Sequence, residues 1–251
     1  MIDLSTSSCR FEIRVNDVPV INLNLKNQTS TMFPINYAIL QNGRQEISIK
    51  VLPILGQANL NKDAALKYDI KLFDTGNDFK FQKQFGNYKT PAVDQNPKLP
   101  SIVHNDFFTA EVPYKITAWQ SSKKLENNDT TKSALIKAYE EVIKMLIDKR
   151  YNDFKEKISK REYIIATTMY LSKTESEARI NNIIRDLQKG FQIQPLPKES
   201  IMLLYAYGKT AALKKFNGES ALYAYNKQTG EELMIDITFH LASRDQKFEI
   251  I

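Results

Sequence analysis

Few side chains in this sequence have the types and spacing that chemistry needs. Only two histidines occur, His104 and His240, and one cysteine, Cys9. Zinc sites draw Cys and His from short, repeated spacings, and no such spacing is present, so no metal is expected. The glycines are scattered singly at turns, which leaves no phosphate-cradling loop, and no Gly-x-Ser-x-Gly elbow occurs. No cofactor is expected on these grounds. Asp236 and His240 lie on the polar side of one alternating stretch and invite reading as an acid/base dyad. Four residues of strand span about 13 Å, far beyond hydrogen-bond reach, so that pair is expected to be an ordinary strand face. Cys9 has no histidine beside it in sequence, and an incidental thiol is the expected reading.

Aromatic residues offer more. Tyr205 and Tyr207, and again Tyr223 and Tyr225, are spaced by two, so within each pair the rings should share a sheet face. On neighbouring strands they would pack across the strands; exposed, they would form a surface for a protein partner or line an apolar site. Trp119, the sole tryptophan, stands where the composition changes. Packing at a domain junction and anchoring a recognition surface are its two readings.

The elements that must position these residues fall into two halves. In the first, residues 34–53 read as a hairpin turning at Asn42-Gly43, a pair suited to a type I′ turn. Ile47, Ile49 and Val51 alternate there with Glu46, Ser48 and Lys50. Phe11, Ile13 and Val15 form another alternating strand, Asn16-Asp17 a turn, and residues 18–25 a return strand with Pro19 at an edge. Leu66, Tyr68, Ile70 and Leu72 make a further strand, with a return beginning at Phe79 and Phe81. Residues 86–100 read as a long polar loop. A last strand is expected from Phe108 to Ala118, interrupted by Pro113. Such a run of short strands without a helix predicts an antiparallel β-sandwich over residues 1–119.

Residues 120–131 are polar and without alternation, and read as a linker. Residues 132–251 read as an α+β domain of helices on an antiparallel meander. Asp129 or Thr130 caps a helix whose apolar face is Leu135, Tyr139, Val142, Ile143 and Leu146. A second helix carries Tyr151, Phe154 and Ile158. A capping box at Thr174 and Glu177 opens a third, closed by Gly190 in a left-handed C-cap. Residues 163–171 are rich in β-branched and aromatic side chains and are expected to be strand, with helix as the alternative. Strands follow at 201–207, 220–225, 232–241 and 246–251, with a turn at Ser243, Arg244 and Asp245.

With a strand at 163–171, the element order of residues 130–251 resembles the cone-shaped superfamily that includes nuclear transport factor and ketosteroid isomerase. That resemblance implies a curved sheet wrapped around a long helix, with a pocket inside. It brings no catalytic residue with it, and with a helix at 163–171 it lapses.

The formal charge of +6 raises nucleic-acid binding. The bases of residues 144–161 are interrupted by Asp148, Asp153 and Glu156, a pattern of solvated i,i+4 pairs, so nucleic acid is not an expected partner. No apolar run approaches the roughly 20 residues needed to span a bilayer. The start of the chain has no signal-peptide pattern, and a lone cysteine makes no internal disulfide, so a cytoplasmic location is expected. A secreted chain whose leader is replaced by a starting Met reads the same. These observations predict a non-enzymatic protein-binding module, of the kind of a bacterial immunity or inhibitor protein, acting through a composite two-domain surface. The competing expectation is an enzyme or small-ligand binder using a pocket in the C-terminal domain.

Overall fold

The computed structural model describes residues 1–94, 98–242 and 247–251, and divides into two compact units, Met1–Lys115 and Ile116–Ile251. The expected turn at Ser243, Arg244 and Asp245 lies outside the described residues. Unit 1 is an antiparallel β-sandwich and unit 2 is α+β, as the pattern of elements predicts.

Unit 1 contains β1 (Ile2–Ser7), β2 (Cys9–Val15), β3 (Val18–Leu25), β4 (Thr29–Phe33), β5 (Gly43–Leu52), β6 (Ala65–Asp74), β7 (Lys80–Lys89) and β8 (Ile102–Ala110). One sheet has the order β4-β1-β6-β7 and the other β3-β2-β5-β8. Alternation decides which side chains meet between them. Ile2, Leu4, Leu66, Tyr68 and Ile70 come from the first sheet, and Phe11, Ile13, Val15, Ile47, Ile49 and Val51 from the second; all are buried. Cys9 joins this core, and burial pushes its thiol pKa up, away from the thiolate.

Four expectations for this half are corrected. Residues 34–41 form no strand: a 3-10 turn at Asn36–Ala38 stands there, and β5 pairs with β2 and β8 instead. A type I′ turn needs positive φ at both central residues, and only Gly43 of the Asn42-Gly43 pair has it. β8 ends at Ala110 rather than running on to Ala118, because Pro113 has no N–H to continue a ladder. β7 extends to Lys89, so the polar loop begins later than expected.

Unit 2 opens with α1 (Asp129–Ile147), α2 (Tyr151–Lys157), α3 (Ser159–Thr168) and α4 (Lys173–Gln188). Short strands follow: β9 (Phe191–Ile193), β10 (Ile201–Tyr205), β11 (Thr210–Lys214), β12 (Tyr223–Asn226), β13 (Glu232–Met234), β14 (Phe239–Leu241) and β15 (Phe248–Ile250). They form two sheets, β10-β11-β14-β15 and β13-β12-β9. The expected face of α1, with Leu135, Tyr139, Val142, Ile143 and Leu146, is buried against Leu213, Leu222, Ile237 and Phe239.

Residues 163–171 are not strand. α3 occupies most of them, and Thr168 Oγ1 donates to Ile164 O at 2.7 Å within the helix. Glu162 of the same helix is buried and reaches Arg179 of α4 at 3.3 Å. The buried Glu162–Arg179 tie between helices outweighs the β-propensity of the stretch. The element order behind the cone-shaped resemblance required a strand here, and the observed order is four helices followed by strands.

Both helix starts shift slightly. Asn128 caps α1, and the capping box of α4 is Ser172 with Glu175 rather than Thr174 with Glu177. Gly190 follows α4 with φ +97°, the left-handed conformation expected of it. The single strand expected over residues 232–241 is two, β13 and β14, lying in different sheets. The chain crosses between them at residues 235–238, held by Ile235 N–H on Leu222 O at 3.0 Å and by the Tyr139 hydroxyl on Ile237 O at 2.9 Å.

Candidate functional site

The expected linker, residues 120–131, is an ordered strap of unit 2, and its one buried apolar residue, Leu125, fixes its path. Just before it, Ile116 and Ala118 of unit 2 are also buried. Ser122 N–H donates to Trp119 O at 2.9 Å, closing a turn. Lys123 N–H then donates to Leu241 O at 3.1 Å, and Leu125 N–H to Gly208 O at 2.7 Å. Lys209 Nζ donates to Gln120 O. Polar composition predicted a free linker; backbone groups that find partners on β14 and on the β10–β11 turn make it an ordered one.

That turn is unusual. Ala206, Tyr207 and Gly208 have φ of +52°, +58° and +81°, three successive left-handed residues. A side chain with a Cβ costs about 1–2 kcal/mol in this conformation, and neither Ala nor Tyr has the polar group that eases it. The result is that Tyr207 leaves the strand and stands 48% exposed. Its ring centroid lies 6.0 Å from that of Trp119, tilted by 57°. Trp119 is itself half-buried, and Lys123 and Lys124 are exposed beside it on the strap.

The other tyrosines part company with this pair. Tyr205 and Tyr207 do not share a face, since Tyr205 closes β10 and is buried while Tyr207 lies in the turn. Tyr223 and Tyr225 do share one face of β12, but β12 belongs to the other sheet, so no cross-strand packing joins the two pairs. Lys215 Nζ covers the Tyr223 ring at 3.9 Å and is held there by Glu232 at 2.7 Å.

Under the strap lies a polar cluster that sequence reasoning missed. Ser122 Oγ is 2.6 Å from His240 Nδ1, Lys160 Nζ is 3.2 Å from His240 Nε2, and Glu249 is 3.5 Å from Nε2. Burial first, and then the Lys160 ammonium, holds the imidazole pKa below its ordinary value, with Glu249 pulling the other way. Lys160 and Glu249 both meet Nε2, while Nδ1 faces Ser122. Ser122 is 7% exposed, out of a substrate's reach. The cluster ties strap, α3, β14 and β15 together. Its members come from sequence positions 122, 160, 240 and 249, and no local spacing signals them.

Asp236 does not face His240 as a dyad; its carboxylate holds Lys214 Nζ at 2.7 Å. In the basic stretch, Arg150 pairs with Asp153 at 2.9 Å and Lys157 with Glu141 at 3.2 Å, as mixed signs at helical spacing predict. An open depression beside the first turns of α1 is lined by Asp129, Thr130, Ser133, Ala134 and Lys137, all exposed. Among the described residues no group of three or more His, Cys, Asp or Glu is placed to hold a metal ion, and no helix is long and apolar enough to cross a membrane. Comparison with protein-family models, with curated proteins and with solved structures returns no match.

Proposed function

We propose that this protein is a non-enzymatic binding module, of the immunity or inhibitor kind, whose unit 2 docks on an acidic protein surface through Trp119 and Tyr207. The observation that supports this reading is the exposed Tyr207 held on an unfavourable left-handed turn beside Trp119. Backbone strain persists where surrounding structure over-determines it, and it concentrates at sites of function. Leu125 N–H on Gly208 O and Lys209 on Gln120 O supply that over-determination. Trp and Tyr are the residues that most often anchor protein interfaces, because they bury much area at little rotamer cost. Lys123 and Lys124 frame the pair, and the net charge is +6, so the complementary partner surface is acidic.

The test is capture of a partner by the wild-type chain and by Tyr207→Ala and Trp119→Ala, with helical circular dichroism confirming the fold of each. Loss of an aromatic anchor is expected to weaken binding at least about tenfold. Raising the salt concentration is expected to speed release. A partner held equally by Tyr207→Ala and the wild type removes this reading.

A further inference from the structure

The four sheet edges of unit 1 are not protected alike. β7 carries Lys80, Lys83 and Lys89, and its pairing with β6 shifts register at Ile70/Lys71 and Leu72/Phe73. β3 carries Pro19 beside a register shift in its pairing with β2. β4 is only 5 residues long. Lysines, proline, bulges and shortness are the devices that keep an edge from pairing with another chain. β8, with the sequence IVHNDFFTA, has none of them. It has no Lys, Arg or Pro, runs for 9 residues, and pairs with β5 without a register shift.

Which backbone groups of β8 face outward follows from its neighbour. Glu46, opposite Phe107, gives its N–H to Asn16 Oδ1 at 3.1 Å and its carbonyl to Asn16 N–H at 2.9 Å. Both groups therefore face away from β8, and Phe107 must face the open edge. By alternation Val103, Asn105, Phe107 and Thr109 do the same. Phe107 N–H is met by the carboxylate of Asp106 at 2.8 Å, a side chain standing where a strand's carbonyl would be.

We propose that the occupant of this edge is β8 of a second copy of the chain, antiparallel about a twofold axis at Asn105. In that register Val103 faces Phe107, Ile102 faces Phe108, and His104 faces Asp106 at both ends. Val103 and Phe107 are 60% and 48% exposed in the isolated chain, and would cover each other. His104 and Asp106 would form a non-hydrogen-bonded pair of the ladder, the kind in which side chains approach most closely. In the isolated chain the His104 ring stacks on Tyr88 at 3.6 Å, which holds its place on the face it shares with Asp106. Of the adjacent symmetric registers, one places Asp106 against Asp106, a penalised pair of like charges, and the other places His104 against His104 with no carboxylate between them. Pairing hands Phe107 N–H to the second copy's Val103 carbonyl and turns the displaced Asp106 carboxylate toward His104.

The experiment is sedimentation velocity on the full chain across a concentration series, with Asn105→Pro and Asp106→Lys alongside. Asn105 N–H faces the open edge, so proline there removes no bond to β5 while blocking the new ladder. The wild type is expected to pass from 28.9 kDa to twice that mass as concentration rises, with a midpoint in the micromolar range or weaker, as befits a small interface. Asn105→Pro is expected to stay monomeric, and Asp106→Lys to raise the dissociation constant at least about tenfold by removing the carboxylate opposite His104. A wild type that remains monomeric up to roughly 500 μM overturns the proposal. So does a dimer that both variants form as readily as the wild type. If the proline variant does not fold, the Asp106→Lys comparison decides.

Discussion

The two units solve the same accounting problem by different means. In unit 1 long strands satisfy each other's backbone, and the interior is nearly all apolar: among the described residues its buried polar side chains are Thr6, Gln45 and Thr90. In unit 2 the strands run from 3 to 5 residues, and buried Ser122, Thr210, Lys214, Ser220, Asn226 and His240 accompany them. Short strands have proportionally more ends, and every buried N–H or C=O at an end needs a partner. Side chains supply it. Ser220 Oγ donates to Ile235 O at 2.9 Å, and the Tyr139 hydroxyl serves both Ile237 O and Leu213 N–H. A sandwich made of long ladders is held by packing; a fold made of fragments is held by packing plus particular hydroxyls.

That contrast is sharpest at Tyr139, which is fully buried and links α1 to β11 and to the crossing segment. Tyr139→Phe keeps the ring and removes the hydroxyl, leaving the Leu213 N–H and the Ile237 carbonyl short of a partner. The expected loss is about 1–3 kcal/mol, read as a lower urea midpoint by helical circular dichroism. Ile49→Val in unit 1 leaves every polar group as it was and is expected to cost about 0.5–1.5 kcal/mol, read by amide exchange in β5. A Tyr139→Phe variant less perturbed than Ile49→Val would erase the distinction.

The same difference explains what the sequence showed. Period-two alternation named both inner faces of the sandwich, through Phe11-Ile13-Val15, Ile47-Ile49-Val51 and Leu66-Tyr68-Ile70, because long half-buried strands have one face each. Alternation over residues 232–241 was equally regular and misled, since it does not reveal that a chain leaves one sheet for another midway. Residues 163–171 misled for a related reason: a buried Glu162–Arg179 tie to the next helix decides their state, and it is not a local signal. Of the aromatic residues singled out, Trp119 and Tyr207 meet, although they are 88 positions apart (207 − 119). Their meeting depends on the strap's ordering by Leu125 and Ser122, which its polar composition hid. The Ser122–His240–Lys160–Glu249 cluster had no sequence signature, being assembled wholly by the fold.

Each unit also carries a left-handed hairpin turn with an aromatic second residue, which gives a finer comparison. Asp78 and Phe79 join β6 to β7 with φ of +49° and +52°, and Phe79 is 56% exposed. The Asn16-Asp17 turn has the same signs of φ with residues that tolerate them. Ala206→Gly and Phe79→Gly are each expected to stabilise their own unit by up to about 1 kcal/mol, the relief of strain exceeding the entropy that glycine adds to the unfolded chain. Asp17→Gly is expected to gain less. Destabilisation by Ala206→Gly would mean that the β10–β11 turn is not strained, and would remove the physical support for a function at Tyr207.

The smallest expected effect belongs to His240, and it is visible only as a dependence on pH. The groups facing its ring are Ser122, Lys160 and Glu249, and the net effect, led by burial, is a pKa below the ordinary 6.5. A base with a depressed pKa stays neutral in the fold while the unfolded chain takes up a proton. The unfolded state therefore binds more protons, and stability falls as pH drops through the unfolded value of 6.5 toward the lower folded value. Above that window both states are neutral and the histidine contributes no slope. Between about pH 7 and pH 5 the wild type should lose more stability than His240→Gln, which does not titrate. Trp119 lies on the strap that Ser122 fastens to His240, so its fluorescence should change with the loss. Identical pH profiles for the two proteins would show that the strap is held by Leu125 and its backbone bonds alone, and unit 2 would then resemble unit 1 in depending on packing and ladders.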